Sequence, residues 1–267
     1  MTAPPKNDDA ILDRPEVCQA IFHPRREWGD PVVTDKDHLI PVAPDVKIGA
    51  RFHMASPSAA NILFFHGNGE IVSDYEELGP LYNRAGINFM VADYRGYGRS
   101  GGTPTVSAML ADSHRILDYA RTWLADNGHN GPLVVMGRSL GSAPALELAA
   151  AHGDTIAGLI IESGFAKATP LLRLLGVDTN RIGFAEGKGF GNLDKVAHYT
   201  GPTLIIHAEH DHIIPFTDGQ ALFEASAADR KRLVRIDGAN HNDIFYVGMA
   251  TYMQAIADFM QAIGKGA

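Results

Sequence analysis

Cysteine is nearly missing from this chain: Cys18 is the only one in 267 residues. An internal disulfide is therefore excluded, and a reducing, cytoplasmic setting is the expectation. Cys18 lies among apolar neighbours in Val17-Cys18-Gln19-Ala20-Ile21-Phe22, which predicts a buried structural thiol. Also missing is any apolar run long enough to cross a bilayer. The opening Met1-Thr2-Ala3-Pro4-Pro5-Lys6-Asn7-Asp8-Asp9 lacks the cationic start and apolar core of a secretion signal, and residues 1–10 read as disordered. Basic charge is in deficit, with 23 Lys and Arg against 31 Asp and Glu and a formal net charge of -8. No basic patch interleaves with aromatics, so general binding to nucleic acid or anionic membranes is excluded. Repeats and low-complexity tracts are absent as well. What remains, 45% hydrophobic and 20% charged residues, is the composition of a soluble globular protein with a sizeable core.

From Ala60 onward, apolar runs of strand length alternate with helical patterns. The strand candidates are 61–65, 87–92, 133–136, 156–161, 203–207 and 233–236; the helix candidates are 75–84, 106–126, 142–152, 217–225 and 245–263. Continuous rather than alternating hydrophobicity predicts strands covered on both faces, as in a parallel sheet. The βα repetition predicts an α/β fold in one domain over 1–267: a mostly parallel twisted sheet with helices on both faces. Before Ala60, the shorter stretches 17–22, 39–42 and 46–54 are read as antiparallel edge strands. One insertion, 167–195, breaks the rhythm. It begins with Leu171-Leu172-Arg173-Leu174-Leu175 and turns glycine-rich from Gly183 to Gly191. It is read as a small cap over a ligand site, the plain alternative being a surface helix and loop.

The chemistry centres on Gly137-Arg138-Ser139-Leu140-Gly141, directly after the apolar run Pro132-Leu133-Val134-Val135-Met136 and before a helical pattern. A strand that turns sharply into a helix through Gly-x-Ser-x-Gly presents a strained serine at its tip. Such a nucleophile needs a base, and His241, on a loop between the last strand and the last helix, is the candidate. Asp211, after the run 203–208, is the candidate for orienting the imidazole, with Glu162 as the rival acid. The chain order Ser139, Asp211, His241 is the order of the nucleophile-elbow fold. Oxyanion donors are expected from the backbone N–H groups of Leu140 and Asn68, the latter in His66-Gly67-Asn68-Gly69-Glu70. His66, Gly67 and Gly69 are expected beside the substrate pocket, along with Leu171, Leu175, Phe184 and Phe190 of the cap.

Four segments, completed by His241, resemble the α/β-hydrolase-fold serine hydrolases: His66-Gly67-Asn68-Gly69, Asp93-Tyr94-Arg95-Gly96-Tyr97-Gly98-Arg99-Ser100, the Ser139 pentapeptide, and His207-Ala208-Glu209-His210-Asp211-His212-Ile213-Ile214-Pro215. The chain is most similar to compact, small-lidded members such as the Bem46-like and serine-aminopeptidase-like hydrolases. The resemblance implies the α/β-hydrolase fold and esterase, thioesterase (including depalmitoylation) or peptidase chemistry. Serine at the elbow sets the chain apart from dehalogenase relatives, which carry Asp there, and dienelactone hydrolases, which carry Cys. The short insertion 167–195 argues against a long-chain lipase.

Two decoys compete with this reading. Gly96-Tyr97-Gly98-Arg99-Ser100-Gly101 matches a dinucleotide fingerprint but is followed by a polar linker instead of a helix. It is expected to buttress the site, with Asp93 and Arg95 as structural anchors. His207, His210, Asp211 and His212 suggest a metal cluster, but Glu209 interrupts the pattern and strand alternation sends the side chains to different faces. The expectation is a cofactor-independent serine hydrolase without a metal, acting on a small-molecule ester or thioester of a small to medium acyl group. A peptidase or amidase, or a non-catalytic binding protein of the same fold, is the alternative.

Overall fold

The computed structural model describes residues 11–29 and 33–264. The disorder expected over 1–10 falls outside the described residues. Eight strands form one sheet in the order β1-β2-β4-β3-β5-β6-β7-β8. They are β1 (Asp37–Ala43), β2 (Val46–His53), β3 (Ala60–Phe65), β4 (Ile87–Ala92), β5 (Leu133–Arg138), β6 (Gly158–Glu162), β7 (Thr203–Ala208) and β8 (Lys231–Ile236). Pairing is antiparallel for β1 with β2 and β2 with β4, and parallel from β4 to β8.

Continuous apolar runs fold as strands here because both faces are covered. Leu63, Phe65, Val135, Leu159, Ile161 and Ile205 point into the core beneath α3 (Val106–Asp126) and α4 (Ser142–His152). Their neighbours Ile62, Phe64, Val134, Met136, Ile160 and Leu204 point the other way, towards α2 (Gly79–Arg84) and α8 (Ile244–Gly264). Period-two alternation thus serves two cores instead of one core and solvent. Thr105 caps α3, its side chain accepting the N–H of Ala108.

The N-terminal region departs from expectation. Residues 17–22 were expected as an edge strand; 17–21 belong to helix α1 (Pro15–Ile21), and Phe22 follows as its C-cap. Pro15 is pre-set for a first helical turn, and Val17 and Ile21, four apart, lie buried on one face. Cys18, on the same helix, is half-buried rather than buried, with Sγ 3.4 Å from the Leu12 carbonyl. Partial burial and the Asp13 carboxylate push its thiol pKa up. The helix expected over 75–84 is shorter, since a 3-10 turn at Val72–Tyr75 precedes α2. Within the insertion lie α5 (Ala168–Leu174) and the start of α6 (Asn192–His198); α7 (Phe216–Ala225) follows β7.

Candidate active site

The carboxyl ends of β3, β5, β6, β7 and β8 converge on one rim, where open α/β sheets gather their ligand sites. Ser139 follows β5 directly, at φ 51°, a left-handed conformation that costs a non-glycine residue about 1–3 kcal/mol. Flanking glycines make this turn possible. A Cβ on Gly137 would lie 2.0 Å from the Gly141 carbonyl oxygen, and one on Gly141 would lie 2.0 Å from that of Phe65. Ser142 steadies the turn by donating to the Ser139 carbonyl at 2.6 Å.

Ser139 Oγ lies 3.0 Å from His241 Nε2, and His241 Nδ1 lies 2.6 Å from Asp211 Oδ2. A carboxylate only accepts, so the imidazole proton belongs on Nδ1, leaving Nε2 free to accept the serine hydroxyl. Asp211 is itself fixed, its Oδ1 accepting the N–H groups of Ile213 at 3.0 Å and Ile214 at 2.8 Å. Burial alone would raise its carboxyl, but His241 and the Ile214 N–H outweigh burial and hold the pKa below the usual value. All three side chains are more than nine-tenths buried. Glu162 is placed differently: it accepts the Tyr252 hydroxyl at 2.6 Å and faces Arg138 Nε at 3.5 Å. Its burial raises the carboxyl despite Arg138 and Tyr252.

Beside Ser139 opens a cavity of about 300 Å³. Leu140, Phe165, Leu171, Leu172, Leu175 and Phe190 form most of its apolar wall, and Asn68, Glu70, Arg138 and Asn242 its polar side. The insertion 167–195 therefore supplies wall residues through α5 and Phe190. Gly67 and Asn68 also line the cavity, but three residues expected at it do not. His66 is fully buried behind the wall, with Nδ1 2.8 Å from the Gly67 carbonyl and Nε2 3.2 Å from Asp93. Phe184 packs against Gly189 instead, and Gly69, at φ 76°, does not line the cavity. Among the described residues no acceptor takes the backbone N–H of Asn68.

Sequence reasoning missed several neighbours of the site. Ile21 and His23 reach the rim from the N-terminal segment. Arg138, inside the pentapeptide, lies between Glu70 at 3.0 Å and Glu162 at 3.5 Å. Glu70 in turn accepts the Gly67 N–H at 2.7 Å and the Tyr75 hydroxyl at 2.6 Å. Arginine enclosed in a Gly-x-Ser-x-Gly turn was the one signal that a buried acidic partner must be near.

Residues of both competing motifs bond within the protein. Asp93 accepts the Val72 N–H at 2.9 Å, and Arg95 makes a two-pronged pair with Asp112. His207 sits fully buried with Nε2 2.8 Å from the Ile214 carbonyl, while His210 and His212 are exposed. Among the described residues no helix is long and apolar enough to cross a membrane.

Sheet order, elbow and cavity together define an enzyme of the α/β-hydrolase class. A family described as serine aminopeptidase, S33, matches residues 56–182. Human alpha/beta hydrolase domain-containing protein 17B is 32% identical over 219 residues, covering 80% of this chain and 71% of that protein. Many solved structures share the fold, among them the two that follow. Est1E from Butyrivibrio proteoclasticus with ferulic acid bound has a TM-score of 0.69 at 21% identity, covering 84% of this chain and 98% of its own. The Pyrococcus furiosus esterase Pf2001 has a TM-score of 0.71 at 18% identity, covering 90% of this chain and 99% of its own. The chain belongs to the α/β-hydrolase-fold serine hydrolases, in the family that includes alpha/beta hydrolase domain-containing protein 17B.

Proposed function

We propose that the protein cleaves a carboxylic ester or thioester of a small to medium acyl group through an acyl-enzyme at Ser139. The observation that carries this reading is the unbroken chain of hydrogen bonds Ser139–His241–Asp211 at the mouth of an apolar cavity. Ser139 Oγ attacks the acyl carbon as His241 Nε2 takes its proton. The carbonyl electrons move to oxygen, which the N–H groups of Leu140 and Asn68 receive. The intermediate collapses, His241 returns the proton to the leaving alcohol or thiol, and the acyl group stays on Ser139. Water then attacks in the same way and frees the acid. Asp211 keeps the imidazole in the accepting tautomer and stabilises the imidazolium.

Three observations favour this reading over its alternatives. The acyl side of the cavity is apolar, and its volume lies at the lower end for small-molecule sites. An aminopeptidase must grip a substrate ammonium, and Glu70, among the described residues the one carboxylate on the cavity wall, is already paired with Arg138. A non-catalytic binder of this fold has no use for a serine held at φ 51° against a base. The test is a fluorophosphonate probe with the adduct mapped by mass spectrometry, alongside p-nitrophenyl esters from acetate to octanoate. Labelling at Ser139 with ester turnover is expected, and an unlabelled, folded protein overturns the reading. Leu175→Ser should lower kcat/KM for the longer esters by about tenfold relative to acetate, since each buried methylene contributes about 0.8 kcal/mol.

A further inference from the structure

Residues 66–70 form a loop that the sequence leaves loose, since Asn68 stands between two glycines. The fold restrains it from several directions. Tyr94 donates its hydroxyl to the His66 carbonyl at 2.6 Å, Glu70 accepts the Gly67 N–H, and Arg25 Nε donates to the Gly69 carbonyl at 3.1 Å. Asn68, between two glycines that have no side chain to anchor, is held through its own. Its Oδ1 accepts the Tyr97 hydroxyl at 2.7 Å and the His23 backbone N–H at 2.9 Å. Its Nδ2 lies 2.8 Å from His23 Nδ1, which must then be the acceptor. Tyr97 closes the ring by accepting the same His23 N–H at 2.9 Å.

Of the two jaws of this clasp, Tyr97 is the rigid one. It is fully buried, and its ring packs against His66 at 5.7 Å and Tyr94 at 5.6 Å between centroids. Burial pushes its hydroxyl far above the usual phenol range, so it stays protonated and donating. His23, by contrast, is exposed and sits on the cavity rim.

We propose that Tyr97 is a positioning residue for the reaction at Ser139: acting through the Asn68 carboxamide, with His23 as the outer jaw, it aims the Asn68 N–H at the oxyanion. This rests on the oxyanion role given to Asn68 above. A backbone clamp on Asn68 would consume the N–H that the oxyanion needs; a clasp on the carboxamide leaves it free. Aim matters because a misplacement of about 1 Å can cost on the order of a hundredfold in rate. The same clasp holds His23 at the rim of a site far from it in sequence.

The experiment compares wild type, Tyr97→Phe, Asn68→Ala and the double variant. The readouts are p-nitrophenyl butyrate kinetics, the rate of fluorophosphonate labelling, and Tm. Each single variant should lose on the order of 100-fold in kcat and in labelling rate, the scale of misaiming one oxyanion donor by about 1 Å. KM should stay within about threefold, and the double variant should be no slower than the slower single one. A lowered Tm or raised KM with kcat intact would reduce the clasp to packing and overturn the proposal; so would losses that multiply in the double variant. If Tyr97→Phe fails to fold, Asn68→Ala removes the same bond from its half-exposed end and carries the same expectation. An active wild type with indifferent variants overturns the clasp alone. A wild type that neither turns over nor labels overturns the hydrolase reading beneath it.

Discussion

Arg138 donates through Nη2 to the carbonyl oxygen of His241 at 3.0 Å, so the residue just before Ser139 anchors the loop that brings His241 to it. The same guanidinium faces Glu70 and Glu162, joining β5, β6, the loop after β3 and the loop after β8 in one buried network. Glu70 and Glu162 together hold Arg138 firmly protonated against the cost of its burial.

Replacing Arg138 should therefore be expensive. Arg138→Met leaves two carboxylates facing each other without a cation, and stability should fall by about 3–5 kcal/mol, as when one partner of a buried ion pair is removed. Urea denaturation monitored by circular dichroism measures it. A loss under about 1 kcal/mol would show that water reaches the network and replaces the arginine.

Asp211 lies against His241 and Glu162 against Tyr252 and Arg138, so variants of the two test the orienting role proposed for Asp211. Asp211→Asn should lower kcat by about four orders of magnitude with the fold intact, because the wrong imidazole tautomer faces Ser139. Glu162→Gln should change kcat by less than about tenfold. The opposite pattern would hand the orienting role to Glu162. Ser139→Ala and His241→Ala should each cost several orders of magnitude, and combining them should cost little more.

Strain at Ser139 makes a separate prediction about stability. Ser139→Gly removes the side-chain hydroxyl but relaxes the φ 51° backbone. Relief of about 1–3 kcal/mol of strain competes with the larger entropy glycine brings to the unfolded chain. The expected net effect is a gain of up to about 1 kcal/mol, read as a raised Tm by calorimetry. A destabilised Ser139→Gly would mean that the turn is held without strain.

Acid should weaken the junction of α4 and α6 in a definite window. Burial alone would raise the Glu147 carboxyl, but His114 and the Lys195 ammonium, 2.7 Å away, bring it down to about 2 from 4.5. A depressed carboxyl contributes fully above its unfolded pKa and loses that contribution as pH falls towards the folded one. Glu147→Gln should therefore cost up to about 3 kcal/mol at pH 7 and progressively less between pH 4.5 and pH 2. Equal costs at pH 7 and pH 3 would contradict the assignment.

Much of this architecture is legible in the amino-acid order because local signals and tertiary structure agree. The strands from β3 to β7 are largely apolar runs, whereas the edge strand β8 shows an apolar stretch only from Leu233, and α3 and α4 keep the bounds that their helical patterns set. Ser139, Asp211 and His241, separated by up to 102 positions, come within hydrogen-bond distance because each follows the carboxyl end of a strand in the same sheet. The failures have two causes, a local signal misread and contacts that only tertiary packing sets. Val17 to Phe22 reads as a strand from its apolar density, whereas its four-residue spacing and Pro15 point to the helix that forms. His66, Phe184 and Gly69 belong to segments that do reach the site, yet which side chain faces a cavity depends on tertiary packing. The contacts of Arg138 with Glu70 and of Asn68 with His23 span 68 and 45 positions and leave no periodic trace.

The contact between Gly141 and the Phe65 carbonyl leaves no room for even a methyl group. The first turn of α4 and the end of β3 therefore cannot be altered independently, although 76 positions of chain separate them. When genes for relatives of this enzyme are recombined, crossovers falling between these two positions join backbones that were never fitted to each other. The resulting chimeras should be enriched among folded but silent clones, and a library that inherits residues 65 to 141 as one block should keep its active members.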